Sequence, residues 1–145
     1  MSLQKRLIVG ISGASGAVYG VRLLQALQPT EIETHLVMSQ SAEVTLAYET
    51  DFKVSEIQAL ADVNYPVRDI GAAIASGSFS SLGMIVAPCS VRSMSEIATG
   101  VTSNLLTRSA DVILKERRPL VLLVRETPLH TGPVSYTHLT LPTKA

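Results

Sequence analysis

The apolar residues of this chain fall into two alternating patterns: short solid runs, and longer stretches where they recur every three or four positions. The runs 7–11, 83–88 and 120–124 contain only apolar residues, glycine or proline, the signature of strands buried on both faces. The run 32–38 is a further strand, more mixed because it carries Glu33, Thr34 and His35. Between the first two strands, Val18, Val21, Leu24 and Leu27 line one face of a helix that Pro29 ends. Residues 42–48, 55–61, about 91–99 and 103–116 read as further helices, and 64–68 as a short extended segment. Ser55 is the expected cap of its helix. In the helix 103–116, Leu105, Leu106, Ala110, Ile113 and Leu114 are expected to face the core. Strands that alternate with helices predict an α/β fold built on a parallel sheet.

At 145 residues the chain is one domain, long enough for a core but short for a complete doubly wound sheet. Hydrophobic residues at 46% against charged ones at 17% make it globular and rather apolar. A formal net charge of zero removes the electrostatic reason to expect nucleic acid or an acidic membrane surface. With no Trp and few aromatics, base-stacking platforms are not expected either. Cys89 is the one cysteine, so no internal disulfide forms and a reducing compartment is expected. The run 7–11 is too short for the apolar region of a signal peptide, and no run approaches membrane-spanning length. The expectation is a cytoplasmic protein with neither a nucleic-acid nor a membrane partner.

The residues that can carry chemistry collect where strands end. Gly13, Ala14, Ser15 and Gly16 join the first strand to the first helix. Small residues ahead of a helix N-terminus leave its amides and dipole open to an anion such as a phosphate. The competing use is a tight turn whose glycines serve helix–strand packing. The spacing Gly10-x-x-Gly13-x-x-Gly16 is not the dinucleotide G-x-G-x-x-G, nor is it a Walker A loop, because no Gly-Lys-Ser/Thr follows. The second strand ends in Ser39, an expected N-cap for the helix behind it. An NAD site has an acid near this point; a serine hydroxyl suits the ribityl chain or polar edge of a flavin better.

Glu49 and Asp51 close the next helix at the end where its dipole disfavours acids. Either one of them is held there for a purpose, or both are solvated loop acids. Residues 74–79 form a loop of small residues ahead of the strand 83–88. Beyond that strand, Cys89, Ser90, Val91, Arg92 and Ser93 repeat the first design: buried strand, small hydroxyl turn, helix. In an open parallel sheet ligands gather outside the C-terminal strand ends, so the glycine turn, Ser39 and the turn 90–93 share one rim. Cys89 has no His–Asn/Asp partner set and reads as a small buried residue rather than a nucleophile. His35 reads as a hydrogen-bonded core or edge histidine rather than a catalytic one. Arg92 either contacts a phosphate or lies solvated on its helix. Arg108 and Lys115 are two turns apart and share a face, as a phosphate patch or as ordinary surface. Arg125 and Glu126 end the last strand, as a ligand clamp with an acid/base or as a structural ion pair.

Taken together, the stretches 10–16 (GISGASG), 37–39 (VMS), 49–51 (ETD), 88–90 (PCS), 110–122 (ADVILKERRPLVL) and 125–130 (RETPLH) resemble the UbiX-type flavin prenyltransferases. That family lies within the homo-oligomeric flavin-containing decarboxylase-like proteins, and the resemblance runs from about Lys5 to His130. It implies a Rossmann-like, flavodoxin-like three-layer fold over residues 1–130 and a homo-oligomer, a dodecamer in the family. It implies transfer of a dimethylallyl group from dimethylallyl monophosphate to reduced FMN, first at N5 and then closing a ring through C6. No metal takes part, and the prenylated FMN serves a UbiD-type decarboxylase, as in ubiquinone biosynthesis or aromatic acid decarboxylation. By motif, Gly13, Ala14, Ser15, Ser39, Ser90, Val91, Arg92, Ser93 and Arg125 would hold FMN. Ser15, Glu49 and Glu126 would be catalytic, with Glu126 the acid/base that helps phosphate leave and takes the ring proton. Arg108 and Lys115 would bind the prenyl phosphate, some of these groups reaching across a subunit interface. The alternatives are a redox flavoprotein decarboxylase of the same fold and a non-catalytic FMN-binding subunit. The first asks for a histidine early in the chain, where Ala17, Val18 and Tyr19 stand instead.

Beyond His130 the pattern changes. Residues 131–145 have neither helical nor strand period and resemble translated adapter sequence fused to a truncated frame. Tyr136 and His138 are accordingly given no role. The expectation is that the flavoprotein domain stops short of the family's full length by about fifty residues, which normally supply a tyrosine and a basic residue to the phosphate site.

Overall fold

Residues 5–125 are described by the computed structural model. Five strands alternate with five helices: β1 (Arg6–Ile11), α1 (Ala17–Leu27), β2 (Glu33–Met38), α2 (Gln40–Glu49), α3 (Val54–Leu60), β3 (Val63–Tyr65), β4 (Met84–Cys89), α4 (Val91–Thr99), α5 (Leu105–Lys115) and β5 (Leu120–Val124). The strands pair in the order β3-β2-β1-β4-β5, and every pairing is parallel.

Strand period 2 divides the core into two layers. On β1, Leu7, Val9 and Ile11 face one way and meet Val21 and Leu24 of α1, Leu46 of α2 and Ile57 of α3. Ile8 faces the other way, with Val37, Met84 and Val86 of its neighbours, against Met94 and Ile97 of α4 and Leu106, Ala110 and Ile113 of α5. Each fully buried side chain of this size contributes about 1.5–3 kcal/mol of transfer free energy. Helices cover both faces, which is the expected three-layer, Rossmann-like α/β arrangement. The chain first moves outward through β2 and β3 and then restarts at β4 on the other side of β1. This reversal puts a topological switch point between the C-terminal ends of β1 and β4, where such folds bind ligands.

Several boundaries differ from the sequence reading. Helix α2 starts at Gln40, directly behind its cap Ser39. Helix α3 starts at Val54 with Lys53 at the cap position, so Ser55 lies inside the first turn and caps nothing. The stabilising bond there is made by Glu56, whose Oε1 accepts from the Lys53 amide at 2.8 Å. Only Val63–Tyr65 of the segment 64–68 pairs as a strand, because Pro66 follows and offers no amide to a ladder. The small-residue loop overlaps a 3₁₀ turn, Ala73–Ala75, that buries Ile74. Leu114 is 44% exposed; it sits at the margin of the stripe that buries Leu106, Ala110 and Ile113, in the last turn of α5. His35 is buried, its Nδ1 2.8 Å from the Tyr65 hydroxyl and its Nε2 2.6 Å from Glu33 Oε1. Among the described residues no helix is long and apolar enough to cross a membrane.

Candidate functional site

Ser12, the first residue after β1, is 1% exposed and ties the two sides of the switch point together. Its amide donates to the Pro88 carbonyl at 3.1 Å, and its hydroxyl donates to the same oxygen at 2.9 Å. That hydroxyl oxygen also accepts from the Ser90 amide at 2.7 Å. The glycine turn after β1 and the hydroxyl turn after β4 are thereby held at one spacing. Ser12 was absent from the residues singled out above, although a polar residue directly behind a solid apolar strand is a signal of such a strut.

The turn itself is shaped by two glycines. Gly16 caps α1 with φ +98°, in the left-handed region that glycine adopts without strain. At Gly13 a Cβ would lie 2.3 Å from Ser41 Oγ, so only glycine lets the turn rest on the first turn of α2. No side chain of its own turn caps α1. Instead Glu49, the last residue of α2, reaches over: its Oε1 accepts from the Gly16 amide at 2.9 Å and the Ala17 amide at 3.2 Å. The amides expected to be open to an outside anion thus hold a carboxylate of the chain itself. An acid disfavoured by the dipole of α2 is favoured by the dipole of α1. The Gly16 amide foremost, then the Ala17 amide, the Ser15 hydroxyl and the Arg125 charge, hold the Glu49 carboxyl below its ordinary 4.5, outweighing the upward push of desolvation.

Arg125 reaches this cluster from β5. Its amide donates to the Cys89 carbonyl at 3.0 Å, and its guanidinium carbon lies 5.1 Å from the centroid of the Tyr19 ring on α1. Ser39 caps α2, its Oγ accepting from the Ala42 amide at 3.1 Å and lying 3.1 Å from Ser41 Oγ. Ser90 caps α4 in the same way, accepting from the Ser93 amide and donating to the Ser93 hydroxyl, both at 3.1 Å. Val91 opens that helix, half-buried. The structure therefore brings Gly13, Ala14, Ser15, Ser39, Glu49, Ser90, Val91, Ser93 and Arg125 to the C-terminal rim of the sheet.

Three predicted residues stand apart. Arg92 is turned along α4, exposed, its Nε 3.3 Å from Glu96 Oε2. Burial raises the Glu96 carboxyl, but bonds from the Ser103 amide and hydroxyl, from Thr107 and from Arg92 outweigh it and leave the value lowered. Arg108 is exposed in the first turn of α5, whereas Lys115 lies in its last turn, about 10 Å away along the axis, paired with Asp111 at 2.9 Å. They share a face, but Lys115 ends α5 ahead of the start of β5, at the end of the sheet opposite the rim. Glu126 lies outside the described residues, as do Tyr136 and His138. Cys89 is fully buried, and burial pushes its thiol up to about 12, so it is no thiolate nucleophile at neutral pH. A separate cleft of about 390 Å³ opens beyond β2, lined by Met38, Gln40, Tyr65 and Arg68 among others, and no predicted site residue lines it. Among the described residues no group of three or more His, Cys, Asp or Glu is placed to hold a metal ion.

The switch-point rim carries small, hydroxyl and cationic groups and no acid at the end of β2, and the Flavoprotein family model matches residues 1–140: the chain is a flavoprotein. Within that class, the flavin prenyltransferase UbiX of Escherichia coli K12 is 65% identical over 142 residues, 97% of this chain and 72% of that one. A crystal structure of AnUbiX (PadA1) in complex with FMN and dimethylallyl pyrophosphate superposes with a TM-score of 0.88 at 46% identity, covering 92% of this chain and 71% of that chain. A dodecameric FMN-dependent UbiX-like decarboxylase from Escherichia coli O157:H7 gives a TM-score of 0.87 at 47% identity, covering 92% and 73%. The chain belongs to the UbiX flavin prenyltransferase family of flavoproteins.

Proposed function

We propose that this chain transfers a dimethylallyl group from dimethylallyl monophosphate to reduced FMN, forming bonds at N5 and then C6 and releasing phosphate. The observation that carries the reading is the rim at the β1/β4 switch point, where Ser12 joins two turns and Glu49 and Arg125 converge on the α1 N-terminus. Gly13 and Ala14 leave room for the flat flavin, and Ser15, Ser39, Ser90, Val91 and Ser93 offer hydroxyls and amides to its polar edge. Arg125 supplies a cation for its phosphate, and Arg92 swings from Glu96 to add a second. An allylic monophosphate is a poor leaving group, so charge growing on it requires cations and a proton donor. Arg108 meets the first need. Lys115, at the end of α5 away from its own rim, serves the site of an adjacent copy in a homo-oligomer. Glu126 donates the proton to the departing phosphate and takes the proton released from the ring, while Ser15 and Glu49 order the groups around the reacting atoms. The π-density of the flavin stabilises the developing allyl cation, and no metal is called for. The prenylated product goes to a UbiD-type decarboxylase in the cytoplasm.

The test is mass spectrometry of the flavin after incubating the purified chain with reduced FMN and dimethylallyl monophosphate. A five-carbon adduct is expected. Bound flavin recovered unmodified, under conditions where a full-length relative forms the adduct, would refute the assignment for this chain.

A further inference from the structure

Tyr19 lies in the first turn of α1, 45% exposed, and none of the functional readings above uses it. Its ring nonetheless packs against two parts of the rim that lie next to each other. The first is the backbone of Gly16: a Cβ added there would lie 2.8 Å from Tyr19 Cδ2 and 3.0 Å from Cε2. The second is the guanidinium of Arg125, 5.1 Å from the ring centroid, within the range of a cation–π contact. The same added Cβ would lie 3.8 Å from Arg125 Cζ, so ring, glycine turn and guanidinium form one contiguous group. Among the described residues the contacts of this side chain are made by its ring, with the Gly16 turn and the Arg125 guanidinium.

Arg125 sits within electrostatic reach of the Glu49 carboxylate, whose proton affinity it lowers. A long arginine side chain on a rim has many rotamers, and the nearest anion captures it when nothing else holds it. Captured by Glu49, the guanidinium would be neutralised and turned inward. We infer that Tyr19 is a positioning residue: its ring holds the Arg125 guanidinium at the edge of the glycine turn, poised for the phosphate of the flavin instead of collapsed onto Glu49. The inference rests on the reading above, in which Arg125 is an FMN contact.

The experiment is FMN titration of the full chain, followed by flavin fluorescence, for wild type, Tyr19→Phe, Tyr19→Leu, Arg125→Ala and the double variant Tyr19→Leu/Arg125→Ala, each checked for folding by thermal melt. Tyr19→Phe keeps the ring and is expected to bind as wild type. Tyr19→Leu keeps the bulk but loses the π-face, and its FMN Kd is expected to rise about two- to fivefold. The KM for FMN should rise by the same factor with kcat unchanged. In the Arg125→Ala background the Tyr19→Leu change is expected to add nothing. The inference is overturned if Tyr19→Leu binds as wild type while Arg125→Ala is weakened, if Tyr19→Phe loses as much as Tyr19→Leu, or if the two losses simply add. Arg125→Ala binding FMN as wild type would instead remove the Arg125 contact itself, and this inference with it.

Discussion

Replacing Ser12 with alanine isolates the strut at the switch point, because it deletes one buried oxygen and nothing else. Two hydrogen bonds disappear: the 2.9 Å donation to the Pro88 carbonyl and the 2.7 Å bond accepted from the Ser90 amide. The two partners are left in different states. The Pro88 oxygen still accepts from the Ser12 amide at 3.1 Å, so it remains paired. The Ser90 amide has no other partner among the described residues. Losing the first bond costs about 1 kcal/mol net, and stranding the second donor costs about 1–3 kcal/mol. Ser90 is only half-buried, which places its share at the lower end and the total near 2–3 kcal/mol. The assay is urea unfolding: the midpoint should fall at unchanged m, with Tm lower by roughly 5–10 °C for a chain of this size. Ser39→Ala is the benchmark, because it removes a simple helix cap worth about 1 kcal/mol. A Ser12→Ala loss below about 0.5 kcal/mol, or one no larger than that of Ser39→Ala, would show that the two turns hold their spacing without the strut.

Two further outcomes follow from the same site. The Glu49 carboxyl titrates below its ordinary 4.5 in the folded chain, so its contribution to stability is full above that value and is lost as pH falls through the depressed one. The stability advantage of wild type over Glu49→Gln, read from urea midpoints between pH 7 and pH 3, should therefore shrink below pH 4.5; an advantage constant across that span would contradict the anchoring of Glu49 on α1. Cys89, with its thiol pushed up to about 12, should react with a disulfide reagent at pH 8 only as the chain unfolds. Equal rates in native and denatured protein would disprove its burial.

The residues that sequence reasoning identified and those it missed differ in how far their partners lie along the chain. The strand runs, the helical stripes of α1 and α5 and the Ser39 cap depend on neighbours within a few positions, and the structure has them where spacing placed them. Errors of that kind were small and local: Ser55 for Lys53 at a helix start, Leu114 one position beyond the buried stripe. Glu49 was visible as an anomaly, an acid at the wrong end of its helix, but its destination was not. Gly16 is 33 residues away along the chain, and only folding brings the end of α2 over the start of α1. Ser12 gave a weaker signal still, because its partners lie 76 and 78 residues ahead. Tyr19 looked like one more helix residue until β5 delivered Arg125 to its ring.

By itself, the sequence determined the element types, the faces they bury, the parallel α/β class and the small-residue turns, since all of these follow from spacing within one element. The family, too, was legible from short motifs. Strand order was decided by the tertiary structure alone, because period 2 says which face a residue occupies but not which strand lies beside it. With that order came the switch point, and with the switch point the meeting of Ser12 with Ser90, of Glu49 with the amides of α1 and of Arg125 with Tyr19. Each of these joins groups on different elements by short-range forces, and such forces act only after the sheet has set the elements side by side.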